Sequence, residues 1–236
     1  IIHRTNETGT IQPIEEVGQL AREAGIPFHV DAVQALGIEP LSLSSLPVDL
    51  MSFSAHKING PKGIGLLYVA SGHRFKPTLY GGSQQQGRRP GTEQVASIVG
   101  MAKAIEFAVL QQNDRKSRYE LMKQKFWNTL MDRLAHHQVF LNGPIEKSLS
   151  HILNISFPGI ESDSMLMNLD LAGISASAGS ACSAGSLERS HVLDAMPIAE
   201  ERKQSAIRFS FGAGNTMEQV VQAAGLVADI VTRLQK

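Results

Sequence analysis

The chain has 236 residues, 42% of them hydrophobic and 19% charged, a composition able to build a globular core. Its 22 Lys and Arg balance 22 Asp and Glu, which excludes an overall electrostatic footprint for nucleic acid or an anionic membrane surface. A single cysteine, Cys182, excludes an intramolecular disulfide framework and any zinc site of several thiolates.

The chain opens Ile1-Ile2-His3-Arg4 with no initiator Met, reads as a strand already in progress, and is expected to be the C-terminal part of something longer. Ile14, Val17, Leu20, Ala21 and Ala24 recur at helical spacing behind Pro13 and before Gly25, which predicts a helix over 14–24. Ile26 to Val30 is a predicted strand ending at Asp31, and Asp49 to Ser54 another, followed by His56 and Lys57. The alternation predicts an α/β layer with a largely parallel sheet, whose C-terminal strand ends face a ligand crevice.

Leu66 to Val69 is a further predicted strand, followed by the glycine-rich basic loop Gly81 to Thr92. A helical pattern runs from Gln94 to about Leu134, with a polar interruption near Gln111 to Lys116 where the domain boundary is placed: 1–112, then 113–236. Beyond it the order becomes α+β: strands at Val139–Leu141 and Ile152–Phe157, a helix capped by Ser162 and running to Leu171, and a brief strand at Ile174–Ala176. Ala206 to Phe211 is the last strand, and Thr216 with Gln219 predicts a capped start for the final helix. Ser177 to Ser186 holds only Ala, Gly, Ser and Cys182, too little side-chain volume to pack well. No apolar run reaches eighteen residues and no secretory signal pattern is present, so a cytoplasmic protein with no membrane partner is expected.

Lys57 follows an apolar strand, where an amine partly removed from water can form an imine with an aldehyde; the plain alternative is a solvated lysine. Asp31 ends the neighbouring strand, where a carboxylate can keep a pyridine nitrogen protonated, although strand-end aspartates also cap helices. Gln34 can bond a phenolic oxygen or be an ordinary surface amide. Ser54, His56 and the glycine-rich segment with Thr92 offer hydroxyl, imidazole and backbone N–H groups to a phosphate. Arg88 and Arg89 are anion contacts or a solvated pair, and Arg208 is a carboxylate clamp or a strand-edge salt bridge. A lone cysteine is usually a buried hydrophobe, yet a small-residue loop suits a nucleophile better. Of the histidines outside this group, His29 is the one placed near a cofactor, and none forms a metal-spaced set.

Taken together, Asn6-Glu7-Thr8-Gly9-Thr10, His29 to Gln34, Asp49 to Ser54 with His56-Lys57, Gly60-Pro61-Lys62-Gly63, Gly87 to Thr92, Ser177 to Leu187 and Ile207 to Ser210 resemble the cysteine desulfurases of the NifS/IscS type. These are pyridoxal 5′-phosphate enzymes of fold type I in the class-V aminotransferase superfamily. The resemblance implies the C-terminal portion of the large cofactor-binding domain, then a smaller α+β domain with the cysteine loop. It implies Lys57 as the cofactor lysine, Asp31 against the pyridinium, Gln34 on the phenolic oxygen, and Ser54 and His56 on the phosphate. Thr92 would reach the phosphate site of a partner subunit in a homodimer. Asn6 would lie by the ring and the substrate carboxylate, with Arg208 on that carboxylate.

L-Cysteine would then lose its sulfur to Cys182 as a persulfide and leave as alanine, and the sulfur would pass to an acceptor protein, an iron–sulfur scaffold or a tRNA-thiolation enzyme. Relative to the family pattern, Thr5 and Thr8 replace Asn and Ile, Ser83 interrupts a glycine triplet, and Ala213 stands where Arg is common. The family's N-terminal half has no counterpart in this sequence. Alternatives are a related class-V enzyme such as a selenocysteine lyase or an aminotransferase, or an inactive fragment serving as an interaction module.

Overall fold

In the computed structural model, which describes residues 1–74, 76–179 and 190–235, the chain divides into two units. The first comprises Ile1–His3 and Gln12–Gln112, the second Arg4–Ile11 and Asn113–Lys236.

The first unit begins with α1 (Ile14–Glu23), which buries Ile14 and Gly18. A Cβ at Gly18 would lie 2.4 Å from the Pro47 carbonyl oxygen, so only glycine lets the helix approach that closely. Gly25, at φ +67°, closes the helix as the sequence predicts: its N–H bonds to the Arg22 carbonyl and that of Ile26 to the Ala21 carbonyl. β1 (His29–Asp31) starts later than expected, because Pro27 has no N–H to donate and Phe28 gives its own to Asp49 Oδ2 at 2.7 Å. β2 (Leu50–Ser54) pairs with β1 in parallel, Asp31 opposite Ser52, and alternates buried Met51 and Phe53 with half-buried neighbours. Ile2 makes an isolated parallel bridge to Asp31, but the strand expected over the opening residues does not form.

The sheet is mixed rather than largely parallel. β3 (Gly65–Val69) runs antiparallel to β2, because the 55–64 connection holds only a 3-10 turn (Ala55–Ile58) and a loop, too short for a crossover helix. After it come the single turn α2 (Gln84–Gly87) and the helix α3 (Val95–Leu110). The core packs Ile14, Phe28, Val30, Val48, Met51, Phe53, Ala55 and Met101.

The chain breaks helical geometry at Gln111 and enters the second unit through α4 (Gln112–Arg133). β4 (Phe140–Leu141), β5 (Ile152–Ser156) and β6 (Ala206–Ser210) form an antiparallel sheet, and every residue of the central β5 is buried. Between β5 and β6 lie α5 (Ser162–Leu171), α6 (His191–Asp194) and α7 (Glu200–Gln204). Ser162 is the first helical residue of α5 and Glu161 its cap, without a side-chain hydrogen bond. The strand expected at Ile174–Ala176 is absent: the N–H of Ile174 closes α5 on the Leu169 carbonyl, leaving only Ser177 to bridge Arg208. The last helix, α8 (Met217–Leu234), starts at the predicted capping box of Thr216 and Gln219. No single helix among the described residues is long and apolar enough to cross a membrane.

Lys123 on α4 is 4% exposed, and its Nζ donates to Ser148 Oγ and the Leu149 carbonyl. Burial pushes its ammonium down from 10.5 to about 8, partly opposed by Glu120. Between those two values the unfolded chain holds more protons than the folded one, so stability rises with pH through this window. Comparing urea unfolding of the parent with Lys123→Met at pH 7.5 and at pH 10 is expected to show the parent gaining relative to the variant at the higher pH. An unchanged difference would mean that Lys123 is charged and unperturbed in the fold.

Candidate functional site

The predicted residues fall into two groups, one in each unit. In the first, Asp31 sits at the C-terminal end of β1, Ser54 ends the parallel neighbour β2 on the same side, and His56 and Lys57 follow it in the 3-10 turn. Asp31 is held on three sides: its N–H donates to the Ile1 carbonyl, its carbonyl accepts from His3, and Oδ1 accepts the Val33 N–H at 3.0 Å. Ser54 Oγ and His56 Nδ1 are 2.7 Å apart.

Local packing explains how His56 and Lys57 are presented. Ala55 is fully buried and Ile58 nearly so, which anchors the 3-10 turn while the two residues between them face solvent. Asn59, at φ +62°, then reverses the chain, and Gly60 donates to the Ala55 carbonyl. A Cβ at Gly60 would lie 3.1 Å from Ala104 Cβ on α3, so the turn is seated on that helix. Lys57 is therefore exposed rather than partly removed from water as expected, because the described residues of its own unit place nothing over the turn.

Gln34 is half-buried in the turn after Asp31. His29 opens β1 and is exposed, two residues before Asp31 on the same strand. Thr92 is also exposed, in a loop whose Gln85, Gln86 and Gly87 all take left-handed φ values, 53°, 59° and 75°. Gln84 Oε1 accepts the Gly91 N–H beside Thr92, and Arg89 donates to the Pro90 carbonyl.

In the second unit the segment Arg4–Ile11 folds back on itself. Thr8 Oγ1 lies 2.8 Å from both Thr5 Oγ1 and Thr10 Oγ1, so the two threonines that depart from the family pattern stitch the loop that displays Asn6. Arg208 on β6 donates from Nη1 to the Asn6 carbonyl at 2.8 Å, which brings the two proposed carboxylate residues together. Cys182 lies outside the described residues.

Three further residues join this group without a sequence motif that marks them for a role: Glu7, Ser177 and Ser190. Glu7 is buried and accepts the Ser190 hydroxyl, and Ser177 pairs with Arg208. The one local signal was Ser190 ahead of a short helical run, where its Oγ accepts the Leu193 N–H. Two clefts, of about 490 Å³ beside α1 and about 530 Å³ beside β6 and α8, are lined by none of the predicted site residues. Among the described residues no three His, Cys, Asp or Glu side chains are placed to share a metal ion.

Residues 1–222 match the family model described as Aminotransferase class-V. A cysteine desulfurase IscS of Dictyoglomus turgidum is 43% identical over 235 residues, covering 100% of this chain and 59% of that protein. A solved NifS-like protein superimposes with a TM-score of 0.88 at 36% identity, over 99% of this chain and 60% of that one. SspA, solved in complex with cysteine, has a TM-score of 0.70 at 32% identity, over 89% of this chain and 57% of its own. The chain spans 58% to 62% of the length of the relatives it matches.

Proposed function

The chain belongs to the class-V aminotransferase family as a homologue of the IscS/NifS cysteine desulfurases, and on that premise we propose that it forms part of a pyridoxal-phosphate enzyme releasing sulfur from L-cysteine. The observation that carries this reading is the strand-end group, with Asp31 and Lys57 leaving the same end of two paired parallel strands. The donor set fits the cofactor: an amine for its aldehyde, a carboxylate for its ring nitrogen, and a hydroxyl–imidazole pair for its phosphate. When bound, pyridoxal phosphate supplies an electron-poor ring that weakens the bonds at the substrate's Cα.

Each residue then has a task. Lys57 holds the cofactor and moves a proton at the substrate Cα, Asp31 keeps a proton on the ring nitrogen, and Gln34 bonds the phenolic oxygen. Ser54 and His56 bind the phosphate, and Thr92 serves the phosphate site of a partner subunit in a homodimer. Asn6 and Arg208 orient the substrate carboxylate, for which a guanidinium fork is suited. The Cys182 thiolate attacks the substrate sulfur: a sulfur–sulfur bond forms as the carbon–sulfur bond breaks, its electron pair stays on carbon, and protonation there yields alanine. The persulfide then passes to an acceptor protein, an iron–sulfur scaffold or a tRNA-thiolation enzyme. In this scheme 1–112 is the end of the cofactor-binding domain and 113–236 the small domain, which the segment Arg4–Ile11 joins.

Borohydride reduction after incubation with pyridoxal phosphate, followed by peptide mass spectrometry, tests the site directly. The expected result is one labelled lysine, Lys57, with labelling reduced in Asp31→Ala. Label scattered over many lysines, or none, would overturn a cofactor site in this chain and leave a homologue that keeps the fold without the chemistry.

A further inference from the structure

Glu7 is 1% exposed, a costly place for a carboxylate unless something is gained from it. Its Oε2 accepts the Ser190 hydroxyl, and Ser190 Oγ in turn accepts the Leu193 N–H at 3.2 Å, so the serine is held from two sides. Ser177 meanwhile exchanges both backbone hydrogen bonds with Arg208, at 2.6 and 3.2 Å. A Cβ built on Gly179 would lie 3.6 Å from Ser190 Cβ and 3.7 Å from Glu7 Oε2, so residues 179 and 190 stand side by side. In the sequence Cys182 falls between them. The neighbour of Glu7, Asn6, gives its carbonyl to the Arg208 guanidinium, so one dipeptide grips both the arginine and the returning flank.

We propose that Glu7 and Ser190 are positioning residues for sulfur transfer: their hydrogen bond, with the Ser177–Arg208 pair, fixes both flanks of the Cys182 segment beside the arginine assigned to the substrate carboxylate. This rests on the roles proposed above for Cys182 and Arg208. A serine that only capped α6 would need no carboxylate behind it; the Leu193 N–H already satisfies the cap. Glu7 adds a tie across 183 residues of sequence, joining the first loop of the chain to the far side of the cysteine segment.

The test reads Cys182 itself, which is the chain's one thiol. Alkylation rates with iodoacetamide are measured across pH for the parent, Ser190→Ala, Ser190→Thr, Glu7→Ala and the Glu7→Ala/Ser190→Ala double variant. Ser190→Ala is expected to change the rate by about fivefold and to displace the pH profile, while Ser190→Thr, which keeps the hydroxyl, stays within about twofold of the parent. Because the two residues act through one bond, the double variant is expected to match the larger single effect rather than the product of both. Rates within about twofold in Ser190→Ala at every pH, or effects that simply multiply, would overturn the positioning role. If Glu7→Ala fails to fold, the Ser190 pair decides alone. Lys57 trapping in the parent tests the functional reading separately, and its failure removes that reading and the positioning role together, whereas equal alkylation removes only the latter.

Discussion

Cys182→Ala is expected to abolish persulfide formation while borohydride trapping of the cofactor at Lys57 stays at the parent level. The two residues lie in different units, and no residue of the Lys57 group belongs to the unit that includes Cys182. Since the chain has no second thiol, no other side chain in it can carry the persulfide, and the loss is expected to be on the order of a thousandfold or more, the scale reached when a covalent nucleophile is removed. The measurement is mass spectrometry after incubation with L-cysteine and cofactor, following a gain of one sulfur atom on the peptide spanning 180–189. Sulfur transfer at the parent rate in the variant would sink the assignment of Cys182, and lost trapping at Lys57 would show that the substitution acts through the fold.

Phe126→Ala should cost the second unit about 3–5 kcal/mol, the range for truncating a buried aromatic. Phe126 on α4 is 2% exposed, with its ring 4.9 Å from that of Phe209 and 5.7 Å from that of Phe211, so the helix is keyed into the strand that carries Arg208. The ring also borders the cleft of about 530 Å³ beside β6 and α8, and removing it enlarges an existing void. A loss of that size is a large share of the roughly 5–15 kcal/mol that holds a domain folded. Urea unfolding followed by circular dichroism would register it as an earlier transition, with Phe126→Leu showing a smaller shift. A change below about 1 kcal/mol would mean that the aromatic cluster is not the centre of this core.

Much of the secondary structure was legible because its signals are local. Pro13 and Gly25 bracket α1, Thr216 and Gln219 cap α8, and alternation along Met51 and Phe53 marks β2; each is decided within a few residues. Where tertiary pairing competes with local pattern, the expectations failed. Ile174–Ala176 is apolar enough for a strand but is spent on closing α5, and β3 reads as a strand without revealing its direction. The left-handed pair Gln85 and Gln86 could not be foreseen, since nothing in glutamine favours that conformation.

The candidate site divides along the same line. By itself the sequence determined which side chains are present, that Asp31 and Lys57 each follow an apolar strand, and that one thiol lies in a segment of small residues. Only the tertiary structure decided that those strands pair in parallel with their ends together, that Arg208 grips Asn6, and that Glu7 holds Ser190. The last two contacts close over 202 and 183 residues of chain. At such separations no periodicity or cap couples the partners; β6 places Arg208, and the Thr10–Ser148 bridge with the Leu149 N–H on the Gly9 carbonyl holds the loop of Asn6 and Glu7 just ahead of β5.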